Sequence, residues 1–216
     1  MTIYHDVYFF DPGVFAESIR KYSTVRTGEV SVEYDLLRQD AIQAFEASSK
    51  VRNMADEYGG WDMQGILSQP TRKPRSATDV AFWLILLLYK HLSDVETTPV
   101  QGLGSQWAQT VDVLQRGDWA IQDARMTVLG KQFGVFATKY ALDGPIQAWE
   151  HFAPFSTSSS VGWLSVDDIE RLMGRLSSFT SSIYILKENY ENVSILRAAF
   201  ESALKQNLGL CIVISG

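Results

Sequence analysis

Residues 210–214 read Leu-Cys-Ile-Val-Ile, and every side chain in this stretch is apolar. Successive side chains of a β-strand point to opposite faces of the sheet, so a strand that is apolar at every position is buried on both faces. Such a strand lies inside a sheet and pairs with a neighbour on each side. The stretch therefore predicts a central strand, and the fold class depends on where its neighbours come from.

The best neighbour for this strand is found in residues 3–10, Ile-Tyr-His-Asp-Val-Tyr-Phe-Phe. They are rich in β-forming residues and too few for a typical helix. Asp11 and Pro12 follow, in the order expected for the N-cap and the first residue of a helix. We therefore predict a small sheet that contains both the N-terminal and the C-terminal strand.

Helical spacing dominates the sequence between these strands. Residues 32–58 carry an apolar stripe whose phase changes after Ser48, which predicts two helices or a kink. The first part of the stripe consists of Leu37, Ala41, Ala44 and Phe45. Residues 80–89 are apolar without interruption, which predicts a helix buried on most sides. A last amphipathic helix is predicted over residues 187–207.

Helix starts and loops complete the predicted fold. Capping boxes are predicted at Ser76–Asp79 and Ser165–Asp168, and Asp118 is predicted to cap another helix. The sequence leaves open whether residues 118–142 contain a strand. Residues 153–162, Ala-Pro-Phe-Ser-Thr-Ser-Ser-Ser-Val-Gly, predict a polar linker. The predicted fold class is α+β, a mostly helical single domain over residues 1–216 around a small sheet with both terminal strands.

Composition and charge exclude several classes of protein. Of the 216 residues, 46% are hydrophobic and 20% charged, which excludes a disordered chain, a collagen-like repeat and a disulfide scaffold. The formal charge of −6 repels phosphate backbones, and we interpret the basic cluster Arg72-Lys73-Pro74-Arg75 as a solvated loop, with salt-sensitive nucleic-acid binding as the alternative. The apolar run 80–89 is half the length of a membrane span. With no signal-peptide pattern, we expect a soluble cytoplasmic protein without nucleic-acid or membrane partners.

Motifs that would indicate a particular chemistry are absent from the sequence. It contains no phosphate-binding loop, no dinucleotide fingerprint, no nucleophile elbow and no His-Glu-x-x-His. Cys211 is the only cysteine, so a thiolate metal cage is excluded. We interpret it as a small buried hydrophobe, with a catalytic thiol as the alternative. We therefore predict no cofactor, no metal and no catalytic residue.

A few residues remain as candidate contacts for a ligand or partner. Asp94 follows His91 by three residues, so the two side chains could meet at a helix end, although a histidine there is also favoured by the helix dipole. Trp61 and Asp62 follow two glycines, in a pattern typical of recognition loops or of a tryptophan folded onto the core. His151 follows an aromatic residue and a carboxylate, whose side chains point in different directions on a helix.

The two ends of the chain resemble a known family. Trp163-Leu164-Ser165, an acidic capped helix, a helix with Leu196, Phe200 and Ala203, and Gly209 before an apolar strand are similar to the C-terminal layout of the YfbM-like family of uncharacterised bacterial proteins. The N-terminal strand and short helix resemble it as well. The resemblance implies an α+β fold and a bacterial intracellular origin, and it implies no activity.

Two functional hypotheses follow from the sequence. An acidic, aromatic-rich chain without a catalytic motif favours a non-catalytic protein-interaction module, with an immunity or regulatory role as one form of it, that binds a protein partner or another copy of itself. The alternative is an enzyme or small-ligand-binding protein whose pocket combines a histidine with a carboxylate.

Overall fold

The computed structural model of the chain describes residues 4–59, 73–95, 106–142, 160–179 and 187–215. Within these residues five strands form one sheet in the order β2-β1-β5-β4-β3. The strands are β1 (Tyr4–Phe10), β2 (Ser93–Asp94), β3 (Lys131–Gln132), β4 (Ser160–Leu164) and β5 (Gly209–Ser215). The helices are α1 (Pro12–Ile19), α2 (Val32–Ala47), α3 (Ser49–Gly59), α4 (Ala77–His91), α5 (Trp107–Arg116), α6 (Ile121–Leu129), α7 (Phe133–Lys139), α8 (Val166–Phe179) and α9 (Lys187–Gln206).

The predicted central strand is confirmed. β5 lies between β1 and β4 and pairs antiparallel with both, so that Cys211 is opposite Tyr8 on one side and Trp163 on the other. Residues 210–214 are all buried, as expected for a strand covered on both faces. The predicted fold class, a mostly helical α+β chain around a small sheet with both terminal strands, is confirmed as well.

The predicted helix signals are also confirmed. The helical pattern of residues 32–58 divides into α2 and α3 at Ser48. At the start of α4, the Ser76 hydroxyl accepts the Asp79 backbone N–H (3.3 Å), and the Asp79 carboxylate accepts the Ser76 backbone N–H (3.2 Å). All residues from Val80 to Tyr89 are buried, so the apolar run forms a helix without a solvent face.

Two predictions are wrong in detail. The predicted linker at residues 153–162 does not extend to its end, because residues 160–162 belong to β4; residues 153–159 lie outside the described residues. Asp118 does not cap a helix, since its φ is 61° and α6 begins at Ile121 after Ala120. The strand left open in residues 118–142 is β3.

By its internal contacts the chain divides into two compact units, and one domain over residues 1–216 stays a prediction. The first unit consists of residues 1–11, 93–131 and 158–216. Its core joins one face of the sheet to α5, α6, α8 and α9, through side chains that include Val7, Phe9, Leu114, Val128, Leu164, Leu172, Leu196, Phe200, Ile212 and Ile214.

The second unit consists of residues 12–92 and 132–157. Within it α2 and α3 pack against the buried helix α4. The ring of Phe15 in α1 lies 5.6 Å from that of Phe136 in α7, measured between centroids. The Arg20 guanidinium after α1 donates to the carbonyls of Tyr140 (3.2 Å) and Ala141 (3.4 Å) after α7.

His5 links β1 to α6 inside the first unit, and this contact predicts a pH-dependent stability. The His5 ring is buried, and its Nε2 donates to the Val128 carbonyl oxygen at 2.7 Å. Burial lowers the pKa of His5 because it disfavours the imidazolium form, against the smaller raising effects of the hydrogen bond to Val128 and of Asp6. The unfolded chain therefore binds a proton near pH 6.5 that the folded chain does not bind.

We expect the free energy of unfolding to fall below about pH 6.5, with a His5 contribution of up to about 1.4 kcal/mol per pH unit. His5→Gln keeps a donor for Val128 but does not titrate. Urea unfolding from pH 7 to pH 5 is the measurement, and the variant should lose less stability over this interval than the native chain. If the free energy of unfolding falls equally with pH in the native chain and in His5→Gln, the pH dependence does not come from His5.

Candidate interaction surface

The predicted contact residues are only partly described by the structure. Trp61, Asp62 and His151 lie outside the described residues. His91 is the last residue of α4, and its ring packs edge-on against Phe15 with 5.5 Å between the ring centroids. Asp94 is exposed in β2, opposite Tyr8.

The predicted helix-end pairing of His91 with Asp94 is wrong in its geometry. α4 ends at His91, and Leu92 is extended with φ −80° and ψ 146°. Asp94 therefore does not continue the helical spacing that the pairing requires. His91 and Asp94 also belong to different compact units. Their roles as separate contacts stay predictions.

Three clusters of polar side chains contain residue types that can take part in catalysis. The first consists of Ser165, Asp168 and Lys131. The Ser165 hydroxyl donates to the Asp168 carboxylate (2.5 Å), which also forms an ion pair with Lys131. Burial alone would raise the pKa of Asp168, but Lys131 and the Ser165 donors outweigh burial and lower it. A carboxylate held ionised in this way is a weak base, and the cluster serves to begin α8 and to join it to β3.

Asp40 in α2 is the centre of a second cluster. Its carboxylate accepts from the Lys21 ammonium (2.6 Å) and from the Tyr22 hydroxyl (2.5 Å). Burial and the neighbouring carboxylate raise the pKa of Tyr22, so the phenol remains a donor. The cluster connects α2 to the 3₁₀ turn that follows α1.

Asp123 in α6 is the centre of a third cluster. Its carboxylate pairs with Arg171 (2.9 Å) and Arg175 of α8, and the Arg175 guanidinium lies 4.6 Å from the centre of the Trp119 ring. These contacts join the surfaces of α6 and α8 inside the first unit. All three clusters therefore join neighbouring elements of the same unit.

Other kinds of site find no support in the described part of the chain. Cys211 is fully buried, and burial raises the pKa of its thiol, so it is the small core residue that the sequence predicts. Across the described residues, no three His, Cys, Asp or Glu side chains are grouped as metal ligands. None of the described helices combines the length and apolar character that a membrane span requires.

The start of α2 presents apolar side chains to solvent. The helix begins after Ser31, whose hydroxyl accepts the Tyr34 backbone N–H (3.1 Å). Val30, just before this cap, is 67% exposed, and Val32, just after it, is 81% exposed. Leu36 is one turn further along the same side and is 36% exposed. These exposed aliphatic residues make this side of the helix the candidate contact surface.

The exposed side chains continue along the full helix. At 100° per residue, one side of α2 carries residues that are all exposed, here named the α2 face: Val32, Leu36, Gln39, Gln43 and Ala47. The opposite side is buried in the second unit: Tyr34, Leu37, Ala41 and Ala44. A helix of 16 residues offers a surface about 24 Å long.

Acidic residues flank the α2 face. Glu33 and Asp40 lie along one edge, and Asp35 and Glu46 lie along the other. The only base in α2 is Arg38, which lies on the buried side with its guanidinium 5.6 Å from the centre of the Trp83 ring. The face therefore has an uncharged centre flanked by carboxylates, of which Asp40 is paired with Lys21.

Sequence reasoning does not find this surface. The helical spacing of Leu37, Ala41, Ala44 and Phe45 predicts the core side of the helix. It does not predict that the opposite side carries exposed aliphatic residues. Val32 and Leu36 are four residues apart and outside that stripe, and this spacing is the signal that could have found the surface. Periodicity alone does not say which of two apolar stripes is buried.

The chain was also compared with known proteins. No protein-family model, no curated protein and no solved structure matches it. The resemblance to the YfbM-like family therefore stays a prediction. Function has to be inferred from the side chains of the chain itself.

Proposed function

We propose that the chain is a non-catalytic protein-interaction module that binds a protein partner through the α2 face. The supporting observation is the exposure of Val32 and Leu36, one turn apart on a helix whose other side is already packed in a core. Burying an aliphatic side chain contributes roughly 1.5–3 kcal/mol, a gain that folding of the second unit leaves largely unused at Val32 and in part unused at Leu36. An immunity or regulatory role is one function of this kind.

The described polar clusters agree with this proposal, since the carboxylates of Asp40, Asp123 and Asp168 are engaged in contacts between elements. The alternative of a His-carboxylate pocket stays a prediction. No described residue pair favours it, and His151 lies outside the described residues.

Site-specific photo-crosslinking tests the proposed function. A photoreactive amino acid is placed at Val32 or Leu36, and at Val135 as the matched control, because Val135 is 50% exposed on α7 of the same unit. In cells that make the protein, we expect one adduct from both α2 positions and none from Val135. Mass spectrometry then identifies the partner. Adducts of equal yield from all three positions, or from none, would contradict the proposal.

The variant Leu36→Ser separates binding from folding. Because Leu36 is only 36% exposed, we expect the variant to fold with a free energy of unfolding about 1–2 kcal/mol below the native value. Affinity for the crosslinked partner, purified and measured by calorimetry, should fall by about tenfold or more because a buried aliphatic contact is lost. Val135→Ser is the control and should bind normally. Unchanged affinity in Leu36→Ser would exclude the α2 face as the contact surface.

A further inference from the structure

The exposed start of α2 lies beside a second exposed segment of the same unit. The backbone turns just before the helix, where the Glu29 N–H donates to the Arg26 carbonyl (3.3 Å). At this turn the Gly28 N–H donates to the Pro74 carbonyl (2.8 Å), so residues 73–75 lie against the turn. The turn, the start of α2 and the second segment therefore form one surface, here named the mixed patch: residues 26–36 and 73–75.

The two ends of the mixed patch carry opposite charge. At the turn end three bases outnumber a single acid: Arg26, Lys73 and Arg75 against Glu29. The helix end carries the acids Glu33 and Asp35 and no base. In chain order the exposed side chains of Val30 and Val32 lie between these two ends, and Leu36 continues them along α2. The patch is therefore basic at one end, aliphatic in the middle and acidic at the other end.

Most of these charges are not neutralised within the chain. Five charged side chains of the patch form no ion pair inside the part of the chain that the structure describes: Glu29, Glu33, Asp35, Lys73 and Arg75. The Arg26 guanidinium donates to two carbonyls of its own loop, and these contacts do not balance its charge. The mixed patch therefore presents charges of both signs to a partner.

We propose that the protein partner of the α2 face is a second copy of the chain, docked about a two-fold axis that crosses the mixed patch near Val32; this rests on the proposed function. A two-fold contact places the same patch on both sides, and an axis across the patch reverses its direction. The turn end of each copy then faces the helix end of the other, so that Lys73 and Arg75 approach two acids. An axis along the patch would place like charges together, which is unfavourable.

Partners with charges of a single sign fit the mixed patch less well. A basic surface is repelled at the turn end, and an acidic surface is repelled at the helix end. Glu33 and Asp35 also repel the phosphates of a nucleic acid. A second copy carries both signs in the required order and an aliphatic centre at the same place. The chain itself therefore supplies the complementary surface.

Sedimentation equilibrium of the full chain tests this inference. Between about 1 µM and about 200 µM protein, we expect the average mass to rise from that of one chain toward that of two. The Kd of self-association should rise about tenfold from about 30 mM to about 300 mM NaCl, because solvent screens the charges between the copies. Val32→Ser should raise the Kd about tenfold. Because Val32 is 81% exposed, this variant should fold as the native chain does.

Reversing the charge of each end tests which ends meet. Lys73→Glu/Arg75→Glu makes the turn end acidic, and Glu33→Lys/Asp35→Lys makes the helix end basic. Each variant alone should self-associate at least about tenfold more weakly than the native chain, because like charges then face one another. An equimolar mixture of the two variants should form a heterodimer, because each end of one variant faces the opposite charge on the other.

The matched control is Glu170→Lys/Glu191→Lys, which changes the net charge as much as the basic variant does. Both acids are exposed and lie outside the mixed patch, on α8 and α9, so this control should self-associate as the native chain does. Circular dichroism shows whether each variant folds. If lysines at the start of α2 prevent folding, Glu33→Gln/Asp35→Asn takes their place and should raise the Kd about threefold.

The outcomes distinguish the two proposals. If the chain stays a monomer at every concentration while photo-crosslinking at Val32 and Leu36 captures a different protein, the second copy is overturned and the proposed function remains. A dimer that Val32→Ser and both charge variants leave unchanged overturns the second copy as well, because its contact lies elsewhere. If the two α2 positions then also give no adduct, the proposed function is overturned with it.

Discussion

The variant Gly162→Ala is expected to lose about 3 kcal/mol or more of its free energy of unfolding. Gly162 lies in β4, where its backbone runs directly against the end of α6. A Cβ at this position would overlap the Leu129 carbonyl oxygen and lie 2.8 Å from the Leu129 carbonyl carbon. Both obstacles are backbone atoms, so no side chain can rotate away, and β4 would have to move from its pairing with β5.

Gly130 forms the other side of this contact and should behave similarly. Its φ is 72°, which strains any residue with a side chain, and a Cβ there would lie 2.6 Å from the Trp163 backbone nitrogen. The matched control is Gly174→Ala in α8, where a Cβ meets no atom within 4 Å. In a helix alanine is favoured over glycine, so the control should gain roughly 0.5–1 kcal/mol.

Urea unfolding followed by circular dichroism measures all three variants. If Gly162→Ala fails to fold, its far-ultraviolet spectrum and its resistance to proteolysis report the loss directly. Stability of Gly162→Ala equal to that of Gly174→Ala would show that β4 and α6 do not approach as described.

The second large effect is expected for Asp168→Ala, which should lose about 2–3 kcal/mol of stability at neutral pH. The Asp168 carboxylate accepts the Ser165 backbone N–H (2.9 Å) and hydroxyl, and it pairs with Lys131. Its removal leaves the Ser165 backbone N–H without its acceptor, so the capping box of α8 loses one of its two hydrogen bonds. It also leaves the Lys131 ammonium, 4.2 Å from the centre of the Trp163 ring, without its counterion.

The same contacts predict the pH dependence of stability. The pKa of Asp168 is lowered in the folded chain by Lys131 and Ser165, against the opposing effect of burial. Its contribution is therefore complete above the unfolded pKa of about 4 and is lost as the pH falls through the lower folded value. Asp167→Ala is the control, since Asp167 is exposed in the same turn and its removal should cost a few tenths of a kcal/mol.

Unfolding in urea at pH 7 and at about pH 3 is the measurement. The difference in stability between the native chain and Asp168→Ala should be smaller at the lower pH, because the Asp168 carboxyl is then largely protonated in the unfolded chain, whereas the folded chain opposes its protonation. A difference that does not depend on pH would mean that the charge of Asp168 contributes nothing.

The candidate surface and the predicted site residues differ in what the sequence can reveal. The pairing of His91 with Asp94 requires a helix that continues past His91, but α4 ends there. Valine and leucine are not residue types that suggest a functional site. Only the exposure of Val32 and Leu36 identifies them as a candidate surface. A surface of this kind is defined by what the core leaves uncovered, which depends on how α2 packs against α4.

The sequence by itself determined the central strand, its pairing with the N-terminal strand, and the starts of α4 and α8. Each of these depends on short-range signals, such as an apolar run or a serine three residues before an aspartate, whose physical effect is complete within one turn or one strand. Only the tertiary structure decided that Ser160–Leu164 is a strand, that Gly130 and Gly162 meet, and that Leu36 stays exposed. These features depend on contacts between residues far apart in the chain, and no local pattern encodes such an approach.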